Sequence, residues 1–211
     1  MTITKIGHSC LVLEEKKARI LIDPGAYSTG QKSVRGIDLV LITHEHPDHL
    51  DVPSLKIVLQ NNPQASVLTN AGVANILKKE GISSKIISNG ERIVVKDVSI
   101  VGVGTKHAGI YPTIPLVDNT GFFIADRFFY PGDALTVPPK AVEILALPVS
   151  APWTTLAGII DYAKTVHPKI CFPVHDGMLK FLGPVHRIPS TILTPLGISF
   201  VVFEEGKTYE Q

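Results

Sequence analysis

The chain has 211 residues, 45% of them hydrophobic and 18% charged, with 17 glycines and 16 prolines. That is enough chain to bury a core without disulfides, and it is too apolar to remain disordered. Lysine plus arginine total 20 against 19 acidic residues, so the net charge of +1 provides no global field for gathering nucleic acid or a membrane surface.

The N-terminal Thr2 to Lys5 runs straight into strand-like sequence, without the apolar core of a signal peptide. Cys10 to Leu13 and Arg19 to Ile22 read as a hairpin around the charged turn Glu14-Glu15-Lys16-Lys17, and Asp23-Pro24-Gly25 stops its second strand. Leu39 to Thr43 is a solidly apolar run that suits a buried strand. A helix is predicted over Pro53 to Gln60, capped by Asp51, then a strand over Ala65 to Thr69. Asn70 opens a further helix, Ala71 to Glu80, which Gly81 ends. Strands follow at Arg92 to Val95, Val98 to Val103, Gly121 to Ala125 and Arg127 to Tyr130, with a proline-bearing loop from Lys106 to Asn119 among them. Ile144 to Pro148 is a buried strand, Leu156 to Val166 an amphipathic helix, and Lys169 to Pro173 a strand that delivers His175. Met178 to Val185 is expected as a short helix limited by Gly183 and Pro184, and Ile198 to Phe203 as a closing strand. No linker or repeat interrupts the chain, so residues 1–211 read as one α/β domain with two sheets inside and helices outside.

No run of 18 apolar residues occurs, so no membrane-spanning helix is expected, and the cytoplasm is the expected location. Cys10 and Cys171 lie far apart in apolar stretches and read as buried free thiols.

The chemistry concentrates in Thr43-His44-Glu45-His46-Pro47-Asp48-His49-Leu50. Three imidazoles and two carboxylates directly follow a buried strand. Divalent metals such as zinc take neutral imidazole nitrogens and carboxylate oxygens at about 2 Å. The period of two in a strand points His44 and His46 to one side, and the turn then swings Asp48 and His49 to a neighbouring position. Two pairs of ligands side by side suggest two metals. His107, Asp133 and His175 each follow a predicted strand, and sites in layered α/β proteins form where loops gather at strand ends. With the cluster present, all three read as further ligands.

These residues carry a resemblance. The chain is similar to the metallo-beta-lactamase superfamily, whose His-x-His-x-Asp-His signature is complete here as His44, His46, Asp48 and His49. Leu21-Ile22-Asp23 resembles the family's early strand-end aspartate, His107 its third histidine, Asp133 its bridging aspartate and His175 its last histidine. The resemblance implies a four-layer αββα sandwich. It also implies one metal on His44, His46 and His107, a second on Asp48, His49 and His175, Asp133 between them, and Asp23 behind the cluster orienting a loop or a ligand. His46 stands where the di-iron oxygen-reducing branch usually has an acidic residue. Ile6-Gly7-His8-Ser9-Cys10 resembles the branch that includes ascorbate-6-phosphate lactonase, in which the matching histidine lies near the metal pair.

The implied activity is hydrolysis of a small ester, lactone or phosphoester by water acidified at two divalent metal ions, zinc foremost and manganese or iron as alternatives. Asp48 would aim that water, and His8 would contact the substrate oxygen. Tyr111 and Trp153 are candidates for an apolar pocket wall, Tyr27 and Arg35 are weaker ones, and Lys106 or Arg127 would serve a phosphate. A small-molecule substrate is the expected partner. Nucleic acid and membrane are not expected, and a homo-oligomer is compatible. A metal-dependent nuclease and a non-catalytic metal-binding protein are the competing readings. Against the first stands the lack of a basic patch, and against the second the complete ligand set.

Overall fold

The computed structural model describes residues 1–211. The strands are β1 (Thr2–Lys5), β2 (Leu11–Glu15), β3 (Ala18–Ile22), β4 (Leu39–Ile42), β5 (Ser66–Thr69), β6 (Lys85–Ile86), β7 (Arg92–Val95), β8 (Val98–Val103), β9 (Gly121–Ile124), β10 (Phe128–Tyr130), β11 (Ile144–Pro148), β12 (Ile170–Val174), β13 (Ser199–Phe200) and β14 (Thr208–Glu210). The helices are α1 (Val52–Asn61), α2 (Ala71–Lys79), α3 (Leu156–Val166) and α4 (Gly183–Leu193). The strands form two seven-stranded sheets, ordered β14-β1-β2-β3-β4-β5-β6 and β13-β12-β11-β10-β9-β8-β7.

The alternation of side chains along each strand builds three cores and hence four layers. In β4, Leu39 and Leu41 face the other sheet and join a central cluster with Phe122, Phe128 and Phe172. Their neighbours Val40 and Ile42 face outward onto Leu55, Val58, Val73 and Leu77 of α1 and α2. The second sheet repeats this: Phe129, Leu145 and Cys171 pack under Ile159 and Ala163 of α3 and Leu193 of α4. Strands buried on both faces need apolar residues at every position, and β4 and β9 to β11 have them. The αββα sandwich is therefore the fold.

Local signals set the helix starts. The Asp51 carboxylate accepts the Ser54 N–H at 3.0 Å, with Pro53 in the first turn of α1. The Asn70 amide oxygen accepts the Val73 N–H at 3.0 Å, and the Thr155 hydroxyl accepts the Gly158 N–H at 3.1 Å. No helix is long and apolar enough to cross a membrane. Both cysteines are free and buried.

Two expectations need correction. The helix expected over 178–185 lies instead at Gly183–Leu193. Pro184 occupies its first turn, where a missing N–H costs nothing, and Pro189 is carried inside it because that face, with Leu193, is buried. The strand expected over 198–203 pairs with β12 only at Ser199–Phe200. The chain then crosses to the other sheet, where β14 pairs with β1, and the rings of Phe203 and Tyr209 stack at 4.1 Å. The short edge strand β6 has exposed residues and left no apolar pattern to read.

Candidate metal centre

Buried strands deliver the polar cluster. β4 ends at Ile42, and His44, His46, Asp48 and His49 follow in the turn. β8 leads to His107, β10 to Asp133 and β12 to His175. The donor atoms of His44, His46 and His107 form one group, and those of Asp48, His49, Asp133 and His175 a second; within each they lie within 4.8 Å of one another. All seven residues expected as ligands are thus brought together. Asp133 touches both groups: Oδ1 is 3.1 Å from His49 Nε2, and Oδ2 is 3.1 Å from His175 Nε2 and 3.4 Å from His107 Nε2.

The rings are held by their other nitrogens. His49 Nδ1 lies 2.7 Å from Asp23 Oδ2, His107 Nδ1 2.5 Å from the Ala108 carbonyl and His175 Nδ1 2.6 Å from the Ser150 carbonyl. Carbonyls and carboxylates only accept, so each Nδ1 donates, and in the neutral ring each Nε2 carries the lone pair. His44 Nδ1 meets the Thr43 hydroxyl at 3.0 Å, and that hydroxyl donates to Asp23 Oδ2 at 2.7 Å. Asp23, expected behind the cluster, is therefore the carboxylate that orients two of the imidazoles. Its other oxygen accepts the Thr43 N–H at 2.8 Å.

The same Nε2 atoms, of His44, His49, His107 and His175, are buried without a hydrogen-bond partner, as is Asp133 Oδ1. Buried polar atoms almost always have partners. Converging imidazole lone pairs and carboxylates left unpaired fit divalent cations.

Residues 2–175 match the family model described as the beta-lactamase superfamily domain. The chain belongs to this superfamily. Its relatives include the protein Rv0786c of Mycobacterium tuberculosis, 36% identical over 85% of each chain. A metal-dependent hydrolase of Methanospirillum hungatei is 32% identical over 100% of this chain and 99% of its own. Among solved structures, Igni18, a metallo hydrolase from the archaeon Ignicoccus hospitalis, shares the fold with a TM-score of 0.76 at 20% identity, covering 100% of this chain and 98% of that one.

In this beta-lactamase superfamily protein the site's charges are strongly coupled. Burial pushes His44 well below the usual imidazole range and lowers His46. Burial acts the same way on His49, but Asp133 and Asp23 overcome it and hold His49 well above that range. Against burial, Asp133 and Asp48 raise His175 to about 9. Burial disfavours the Asp133 and Asp48 carboxylates too, yet the facing histidines hold both well below their ordinary values. Without metal, protons on His49 and His175 occupy the place of cations.

His8 also reaches the site. Its ring is fully buried, 4.1 Å from the His175 ring, with Nε2 3.4 Å from Asp48 Oδ2. Gly177 donates its backbone N–H to His8 Nδ1 at 3.1 Å, so the ring proton sits on Nε2. His8 thus presents an N–H where the other oriented rings present lone pairs. A Cβ at Gly177 would lie 3.0 Å from His8 Cα and Cβ, so any side chain there would press on His8.

Trp153, a candidate for an apolar pocket wall, donates its indole N–H to Asp133 Oδ2 at 2.8 Å. Tyr27, the weaker candidate, stands edge-on to His8 at 5.4 Å. Arg35 instead bonds backbone carbonyls of its own loop. The cations considered for a phosphate are taken: Lys106 pairs with Asp118 at 2.7 Å and Arg127 with Glu143 at 2.8 Å. Neither neighbour of His8 is placed as a nucleophile. Ser9 donates to the Asp48 carbonyl at 2.6 Å, and burial holds the Cys10 thiol far above its usual pKa. Sequence reading missed Thr43, whose hydroxyl joins His44 to Asp23, and Asn119, whose amide oxygen accepts the Asp133 N–H at 3.1 Å. Their only signal was position beside a strand end.

Proposed function

We propose that this metal-dependent hydrolase cleaves a small ester, lactone or phosphoester, with His44, His46 and His107 holding one divalent ion, Asp48, His49 and His175 a second, and Asp133 between them. The observation that carries this reading is the convergence on Asp133 of buried Nε2 atoms without hydrogen-bond partners from both donor groups, His107 from one and His49 and His175 from the other. A donor set rich in imidazole favours zinc, while the bridging carboxylate also suits manganese or iron. When bound, such ions lower the pKa of water and polarise the oxygen under attack.

The chain's own side chains do the positioning. The Asp48 carboxylate, kept ionised by His175 and His8 against burial, accepts a hydrogen bond from the attacking water and aims it. His8 donates from Nε2 to the substrate oxygen that gains negative charge. A buried histidine beside the ligand candidates, in the Ile6-to-Cys10 segment, is what favours a lactonase-like branch within the superfamily, and the lactonase's substrate is not carried over. The buried free thiols of Cys10 and Cys171 support a reducing compartment such as the cytoplasm.

The test is metal analysis of the purified protein together with a panel of p-nitrophenyl acetate, a simple lactone and bis-p-nitrophenyl phosphate, with and without chelator. Hydrolysis that disappears with chelator and in both Asp48→Asn and His175→Ala is expected. A rate that survives chelation and both substitutions would overturn the assignment.

A further inference from the structure

The loop joining β8 to β9 carries a cluster of exposed large apolar side chains, as does the segment with Met178, Phe181 and Leu182. Within six residues the loop exposes Tyr111 (63%), Ile114 (46%) and Leu116 (49%). Single exposed apolar side chains are ordinary, but such a group signals contact with something apolar.

The loop is anchored at both ends to the metal centre. The Ala108 N–H donates to the Asp133 carbonyl at 2.8 Å, and the His107 N–H to the Val117 carbonyl at 3.1 Å. Between those anchors Pro112 and Pro115 restrict the backbone, and the Ile114 N–H closes a turn on the Tyr111 carbonyl at 2.9 Å. The loop is therefore preformed against the site.

Two cavities share its side chains. The smaller, only about 10 Å³, touches His46 and His107 and is walled by Ile110, Ile114 and Leu116, side chains that must shift to admit a substrate chain. These three side chains also line the larger, of about 370 Å³, with Tyr111 and Pro112. Its size falls within the range of roughly 300–1,000 Å³ typical of small-molecule sites. Apart from the two imidazoles, no ionisable side chain but the Tyr111 phenol lines either cavity, and none carries a fixed charge. The nearest lysine in sequence, Lys106, is already paired with Asp118.

We infer that this cavity binds the hydrocarbon part of the substrate, and that the substrate is an uncharged ester or lactone with an alkyl or aryl group rather than a phosphoester. The inference rests on the hydrolase reading above and narrows it. The carbonyl sits at the metal centre, and the hydrocarbon extends past His46 and His107 under Ile114 and Leu116. A protein partner fits less well, because a stable interface takes about 800 Å² per side and this patch is a concave pocket of a few side chains.

Binding of straight-chain carboxylates, from acetate to octanoate, to the metal-loaded protein by isothermal titration calorimetry tests this directly. Affinity should rise about threefold to fourfold per methylene while the chain is being buried, leaving octanoate at least tenfold tighter than acetate. In Ile114→Glu and Leu116→Glu the octanoate-to-acetate ratio should fall towards one, and Leu116→Met should retain it. Metal content and melting temperature verify that each variant is folded and loaded. Equal affinities along the series in the wild-type protein would overturn the inference. So would a concentration-dependent dimer in sedimentation that both glutamate variants dissolve while the chain-length ratio persists. A retained ratio in a protein that hydrolyses no ester would instead sink the hydrolase reading and leave the pocket standing.

Discussion

Gly177 donates a hydrogen bond from its backbone N–H to Nδ1 of His8 across 169 positions of sequence. That contact makes His8 a donor at Nε2 and separates it chemically from the histidines around it. His8→Ala should therefore lower kcat by roughly a hundredfold, the cost of removing one such donor, with little loss of bound metal. His8→Gln can place an amide N–H near the same point and should recover part of the rate, whereas His8→Asn, which mimics Nδ1, should not. Steady-state kinetics alongside metal analysis checks this. Metal loss in His8→Ala as complete as in His175→Ala would make His8 a ligand instead.

Asp23 orients His49 directly and His44 through Thr43. Asp23→Asn replaces an acceptor by a donor and presses His49 towards the wrong tautomer. Metal affinity should fall by about 10-fold to 100-fold, as for other residues that orient ligating imidazoles. Thr43→Val should give a smaller loss confined to the His44 group. Competition with a chromophoric chelator measures both, and wild-type affinity in Asp23→Asn would refute the role.

Metal loading should release protons. His175 stays protonated up to about pH 9 in the metal-free protein, and Asp133 and Asp23 keep His49 protonated as well. A metal must displace these protons. Burial keeps His44 neutral near pH 7, so it releases none. Affinity should accordingly rise with pH from 6 to 9. Calorimetric titration at pH 7 in two buffers of different ionisation enthalpy reads the release. Identical heats in both buffers, or affinity that falls as pH rises, would contradict the charge arrangement.

Behind His175 the Lys5 ammonium meets Asp176 at 2.6 Å, both nearly inaccessible, and Asp176 also meets His186 at 2.8 Å. Lys5→Met strands a buried carboxylate. A loss of about 3 kcal/mol in unfolding free energy is expected, at the low end for broken buried pairs because His186 remains a partner. Lys5→Met with Asp176→Asn together should recover part of it. Urea denaturation provides the comparison, and a Lys5→Met variant as stable as wild type would show the pair to be dispensable.

What could be read from the chain alone was local. His44, His46, Asp48 and His49 fall within six residues of a buried strand's end, so their grouping needs no distant contact. The caps Asp51 and Asn70 act on N–H groups three residues away, and strands buried on both faces must be apolar throughout. Tertiary structure alone decided the rest. Whether His8 donates depends on Gly177, and whether Lys5 is a surface cation or a buried partner depends on Asp176, each at opposite ends of the chain. α4 tolerates Pro189 because burial of its face outweighs helix propensity, and β14 exists because β1 leaves an edge open beside it. Propensity and periodicity report what a segment can be. Contacts between segments far apart in sequence follow from which sheet each strand joins, and no local pattern encodes that.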